Sequence, residues 1–274
     1  MKRKFYFIFF ILSFILILTS CKNNNYTETE YSYKLSDSIT DIEINWRVGD
    51  IEITSGDEFS IVETSQDEKA IAPLNYSIID NKLALNYNNS NKDLKIILNN
   101  KLDYNLIQIE TINSIVTVTN IVANELIING KFGKSDISYC TLNSLESNFI
   151  CINGWQTSKI QNNTIKNIKI AYESIYSILI INNICKTINC EFENGKLNLS
   201  SNFFDYINLN SIYGTINITI NAHLGFSYYS NSNTLIDFET MHYNNKYIYL
   251  DGSKYISCYN YKGTTNIYRQ YYII

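Results

Sequence analysis

The chain has 274 residues, 45% hydrophobic and 18% charged, with 23 Tyr, 13 Phe, 10 Gly and one Pro, which is enough apolar material for a sizeable core and excludes a chain disordered throughout. Its formal charge is −4, and removal of Lys2, Arg3 and Lys4 leaves an exported body at −7. An acidic body excludes nucleic acid and anionic membrane surfaces as expected partners.

Residues 1–20 predict a signal peptide: the charged start Lys2-Arg3-Lys4 precedes an uncharged run from Phe5 to Leu18. That run spans 14 residues, short of the roughly 18 that a membrane-crossing helix needs, and the polar Lys22-Asn23-Asn24-Asn25 follows at once. Leu18-Thr19-Ser20-Cys21 resembles the lipobox of bacterial lipoproteins. The resemblance implies that Cys21 is acylated, becomes the first mature residue and anchors the chain to a lipid bilayer. Two or more fatty chains hold a protein stably where one does not. The expected location is the cell envelope outside the cytoplasm, on the outer membrane or the outer face of the cytoplasmic membrane. Lys22 after the cysteine, by resemblance to known sorting preferences, favours the outer membrane where one exists. Residues 21–36 lack apolar periodicity and read as the lipidated cysteine and a flexible tether.

Residues 37–105 show short apolar alternations joined by turns, among them Val48-Gly49-Asp50-Ile51-Glu52-Ile53 and a strand, Asp80-Asn81 turn, strand unit from Tyr76 to Tyr87. They predict an antiparallel β region that starts the following array and covers its open end. Residues 106–220 carry a repeat. Aligned on Ile107, Leu126, Leu145, Ile168, Ile188 and Ile207, the segments step by 19, 19, 23, 20 and 19 residues. Periods near 20 built from strands mean stacked coils. Apolar residues at offsets 0, +2, +9 and +11 are expected to face inward, and Ser114, Gly133, Gly195 and Gly214 fall at +7. Six coils at about 4.8 Å apiece give roughly 29 Å of stack. The 23-residue step predicts a loop around Trp155. Residues 221–274 lose the period, become aromatic-rich and predict a β cap over the exposed strand edges.

The leader, the strand from Val48 to Ile53, the Gly-x-Ile/Leu-x-Ile/Leu units at Gly195 and Gly214, and the closing segments Tyr255-Ile256-Ser257 and Gly263 to Tyr268 together resemble the bacterial putative-adhesin, β-strand-repeat family of unknown function. The resemblance covers about Ile39 to Tyr268. It implies an all-β fold, a right-handed β-solenoid (β-helix) of about six coils, displayed outside the cytoplasmic membrane. It brings no catalytic residues. Ser114 and Tyr176 stand near where that pattern expects a small turn residue.

No nucleophile elbow, phosphate loop or dinucleotide fingerprint occurs, so no cofactor is expected and no enzyme is predicted. His223 and His242 lack partners at metal-ligand spacing, so no metal site is expected. Once Cys21 is set aside, five cysteines remain, Cys140, Cys151, Cys185, Cys190 and Cys258. An odd number implies no disulfide framework, although bridges between coils stay open after export. Glu173 and Glu193 share offset +5, so adjacent coils place their carboxylates about 5 Å apart, a spacing that suits a retaining glycosidase. A third acidic group or a nearby Arg or Lys is not evident. Trp155, Tyr228, Tyr229 and Tyr243 are candidate contacts for a sugar ring or a protein partner at the surface. The predicted role is a structural or interaction module, a surface adhesin. A carbohydrate-binding or carbohydrate-active β-helix and an envelope sensory accessory protein stay open as alternatives.

Overall fold

Strict alternation of Ile, Leu and Val with Asn, Ser, Thr and Lys puts every second side chain on one face, and the strands form on that pattern. The computed structural model describes residues 29–35, 38–65, 73–87, 92–150, 156–201, 203–231, 233–237, 241–243 and 246–270. The expected signal peptide, Cys21, Cys151 and Trp155 lie outside these residues, as do the side chains of His242 and Tyr243.

The described residues are all-β and contain no helix. The N-terminal strands are β1 (Thr29–Lys34), β2 (Asp41–Val48), β3 (Ile51–Gly56), β4 (Ser60–Ser65), β5 (Asn75–Ile79), β6 (Lys82–Asn86) and β7 (Asp93–Asn99). The central strands are β8 (Tyr104–Thr119), β9 (Val122–Ser138), β10 (Thr141–Phe149), β11 (Thr157–Gln161), β12 (Thr164–Ile181), β13 (Thr187–Ser201) and β14 (Tyr206–Asn221). The C-terminal strands are β15 (Phe226–Ser230), β16 (Asn233–Ile236), β17 (Met241–Tyr243), β18 (Lys246–Tyr249), β19 (Lys254–Asn260) and β20 (Thr264–Gln270).

The repeat register predicted from sequence is the register of the sheet. Ile107 pairs with Leu126, Leu126 with Leu145, Leu145 with Ile168, Ile168 with Ile188 and Ile188 with Ile207, all in parallel ladders. All six are buried, and so are Ile109, Ile128, Ser147, Ile170, Cys190 and Leu209 two residues on. The row continues past both ends of the repeat, through Ile42 and Leu83 on one side and Ile256 and Tyr228 on the other. Each such side chain contributes about 1.5–3 kcal/mol on burial, and no single rung could bury its own set.

Three expectations are corrected here. The expected tether 21–36 is ordered over Thr29–Lys34, where β1 pairs antiparallel along the whole of β4. The region 37–105 is not wholly antiparallel: β2 and β3 lie parallel between β6 and β7 on one side and β8 on the other. Parallel pairing wins because Ile42, Ile44, Ile51 and Ile53 then extend the same buried rows. Antiparallel pairing in this region is kept by β1–β4, β4–β7 and β5–β6, the last closed by Asp80 and Asn81 at φ 50 and 63. Likewise the segment 221–274 is more than a cap, because β19 and β20 stack in parallel on β14 and carry β15 and β16 beyond them. Stacking order therefore departs from chain order at both ends.

Two kinds of corner recur. At one, Asn120, Tyr139, Asn162 and Asn182 adopt φ between 55 and 58, the left-handed region in which Asn is favoured. The buried residues that follow include Asn163 and Asn183, whose amides bond to each other at 2.9 Å and to the carbonyls of Ile137 and Ile160 at 3.1 and 2.7 Å. At the other, Gly133 and Gly195 have φ of 143 and 130, and a Cβ on either would overlap the carbonyl oxygen of Ser114 or Ile175 in the rung beside it. Ser114 keeps the corner regular, paired with Gly133, while Tyr176 lies in a register shift between Ser174 and Ser177 and points outward.

Candidate functional site

Along one edge of the stack each rung ends in three residues that alternate outward, inward and outward, such as Glu110-Thr111-Ile112, Asn148-Phe149-Ile150 and Glu191-Phe192-Glu193. Repetition of that triplet over the rungs from β6 to β14 forms a groove of about 910 Å³. The inward residues make its floor. Trp46, Phe149, Tyr172 and Phe192 are each no more than 3% exposed, and Gly130 has no side chain because a Cβ there would overlap the Phe149 ring. The Trp46 indole donates to the carbonyl of Lys92 at 2.9 Å, and the Tyr172 hydroxyl shares hydrogen bonds with Ser135 at 3.0 Å and Ser147 at 2.9 Å. Burial holds the Tyr172 phenol above its usual pKa, so the floor is a neutral, locked surface.

The first outward residues form a ladder of amides. Asn129 donates to Glu110 at 2.7 Å and Asn148 donates to Asn129 at 2.8 Å, while the same Asn148 amide reaches Glu146 at 2.9 Å. Lys169 donates to Glu146 at 2.8 Å, and this bond, with that of Asn148, holds the Glu146 carboxyl below its usual range. The second outward residues form the opposite wall, with Arg47 and Lys131 toward one end, Ile112 and Ile150 among them, and Glu173 and Glu193 toward the other. Among the described residues, the side chains of Arg47, Lys131, Glu173, Glu191 and Glu193 make no hydrogen bond or ion pair.

Glu173 and Glu193 stand beside each other on adjacent rungs, between the register pairs Tyr172–Phe192 and Ser174–Asn194. The groove adds groups that sequence reasoning found no sign of: Glu191 on the same rung as Glu193, and the cations Arg47 and Lys131 farther along. The outward positions of the terminal triplet were the available signal, but Arg47 joins this edge only because β2 stacks on β8 out of repeat order.

The other candidates divide. Tyr228 is buried, its hydroxyl sharing a hydrogen bond with Thr234 at 3.1 Å and its pKa raised by burial, so it packs inside the stack rather than on its surface. Tyr229 is half-exposed and stacks on Tyr255 with centroids 5.4 Å apart, Tyr255 stacks on Tyr206 at 6.4 Å, and the Lys246 ammonium sits 5.3 Å from the Tyr229 ring. His223 is exposed. Among the described residues no group of three or more His, Cys, Asp or Glu is placed to hold a metal ion. Cys140, Cys185, Cys190 and Cys258 are buried free thiols, with burial pushing Cys140 and Cys185 up to about 11. None of these thiols is a thiolate at neutral pH.

No family model matches the chain, and no curated protein matches its sequence. Among solved structures it is similar to a putative adhesin from Bacteroides fragilis NCTC 9343, at 16% identity over 89% of this chain and 97% of that one, with a TM-score of 0.58. It is also similar to a putative adhesin from Parabacteroides merdae (15% identity, 89% and 97% covered, TM-score 0.47) and a putative lipid binding protein from Parabacteroides distasonis (12% identity, 88% and 97% covered, TM-score 0.46). The first likeness is one of fold, and the other two superpose too loosely to support a statement.

Proposed function

We propose that the chain is a lipid-anchored, extracytoplasmic interaction module of adhesin type, with a right-handed β-solenoid whose six repeat coils form the middle of a longer stack. The leader and Cys21 support the anchor, and the in-register parallel rungs with steps of 19 to 23 residues support the solenoid. The observation that carries the interaction role is the groove, which gathers charged side chains from several rungs and leaves five of them without partners among the described residues. A rigid ladder that holds charges in fixed rows is pre-organised for contact and pays little ordering cost on binding. Two measurements test the reading. Labelled palmitate should enter the wild-type chain and not Cys21→Ala, and external protease should remove the body from intact cells. A chain that takes no label and stays protected inside the cell sinks the anchor and the surface role together.

A second reading has one specific support, the side-by-side Glu173 and Glu193 on the groove wall, which fits a carbohydrate-active β-helix. Cleavage of any glycan in a broad panel that disappears in Glu173→Gln would establish it, and no cleavage would end it.

A further inference from the structure

The groove is electrically two-ended. Arg47 on β2 and Lys131 on β9 flank Glu110 on β8, whose carboxylate accepts from Asn129, and leave that part with a net positive charge, whereas Glu173 on β12 with Glu191 and Glu193 on β13 make the other part anionic. Lys131 and Glu173 are two rungs apart, from β9 through β10 to β12, or about 10 Å at 4.8 Å per rung. Arg47 and Glu193 are five rungs apart, or about 24 Å. Those separations match or exceed the Debye length of about 8 Å at physiological salt, so the two ends do not neutralise each other. Ile112 and Ile150 supply apolar wall among them.

We infer that the groove takes an extended peptide segment of a partner protein, with a cluster of Lys or Arg at one end, a cluster of Asp or Glu at the other and apolar side chains between. This rests on the interaction role proposed above and names its partner class. At roughly 3.3 Å per residue, the 10 to 24 Å between the charged ends corresponds to about three to seven residues. A glycan fits the same space less well. The rings of Trp46, Phe149, Tyr172 and Phe192 are no more than 3% exposed, with Phe149 edge-on to Tyr172 and Trp46 edge-on to the half-buried Tyr87, so the floor offers no open ring face for a sugar to stack on, and the wall amides of Asn129 and Asn148 already bond to each other and to glutamates. Opposite charges on a peptide would meet groups that are now solvated and unpaired, and complementarity of this kind sets register and partner choice.

The test uses the full chain and fluorescence anisotropy with three dye-labelled peptides of one composition: Lys-Lys-Ile-Ser-Ile-Glu-Glu, its reverse order, and an interleaved Lys-Glu-Ile-Lys-Ser-Glu-Ile. One block-charged peptide should bind at least tenfold more tightly than the interleaved one and weaken several-fold between 50 and 300 mM salt. The triple variant Glu173→Lys, Glu191→Lys, Glu193→Lys should lose that preference with an unchanged melting temperature, because all three side chains are exposed. Arg47→Glu with Lys131→Glu should lose it from the other end. Equal affinity for block and interleaved peptides, block binding indifferent to both variants, or binding of chitohexaose in the groove instead would each overturn the inference. If the peptides fail while Ile150→Arg still abolishes cell-surface attachment, the peptide class falls and the interaction role stands. If attachment is also indifferent to Ile150→Arg, both fall.

Discussion

Replacement of Ile188 by Asp, set against the same replacement at Asn189, tests the register on which every other placement depends. Ile188 is buried between Ile168 and Ile207 in the central row, whereas Asn189 is half-exposed on the outer face between Lys169 and Asn208. Ile188→Asp forfeits about 1.5–3 kcal/mol of burial and places a carboxylate where nothing offsets its desolvation, for a loss above about 4 kcal/mol. Asn189→Asp, beside Lys169, should move stability by no more than about 0.5 kcal/mol. Domains of this size are stable by about 5–15 kcal/mol, so the first change removes much or all of the margin. Urea titration followed by far-UV circular dichroism reads both. If Ile188→Asp does not fold, Ile188→Ala keeps the comparison open with an expected loss of about 2–5 kcal/mol. Equal midpoints for the Ile188 and Asn189 variants would refute the register.

Gly195→Ala should cost at least about 1–3 kcal/mol in the same assay, because φ is 130 and the new Cβ overlaps the Ile175 carbonyl; an unchanged midpoint would show that the corner is loose. Lys92 and Glu63 form an ion pair at 3.2 Å with both side chains 1% exposed, so Lys92→Met should cost about 3–5 kcal/mol and the double variant with Glu63→Gln should regain much of it. Full additivity of the two single losses would contradict that coupling. For Cys140 and Cys185 the folded pKa is raised from 9.0 to about 11, so the unfolded thiols ionise first. Their contribution is fully present below pH 9 and is lost as pH rises to 11, about 2–3 kcal/mol per thiol, and Cys140→Ala with Cys185→Ala should flatten the decline.

The repeat was legible because each central rung follows its predecessor along the chain, so stacking leaves a period at 0 and +2 that composition alone does not produce. The same local logic hid the ends. β2 and β3 stack next to β8, and β19 and β20 next to β14, across intervening chain, and such crossings leave no period. Left-handed corners at Asn120, Asn162 and Asn182 could have been read from their spacing, but Tyr139 fills the same position and breaks the residue pattern. At the groove, the Glu173 and Glu193 pair emerged from a shared offset. Glu191, Lys131 and Arg47 did not, since outward charges on a β-rich chain look alike until the rungs are stacked. The buried Lys92 and Glu63 pair was silent for another reason: Glu63 falls on the inward face of β4 with Ile61, but Lys92 precedes β7 and nothing in the sequence ties the two together.

The interaction role is tested most directly by a photo-crosslinking side chain placed at Ile150, on the groove wall, and separately at Tyr139, an exposed corner residue outside the groove, in chains displayed on living cells. A discrete protein adduct from position 150 that is absent from position 139 is the predicted result. Identical adduct patterns from both positions, or no adduct from position 150 on cells that attach normally, would contradict the groove as the binding surface.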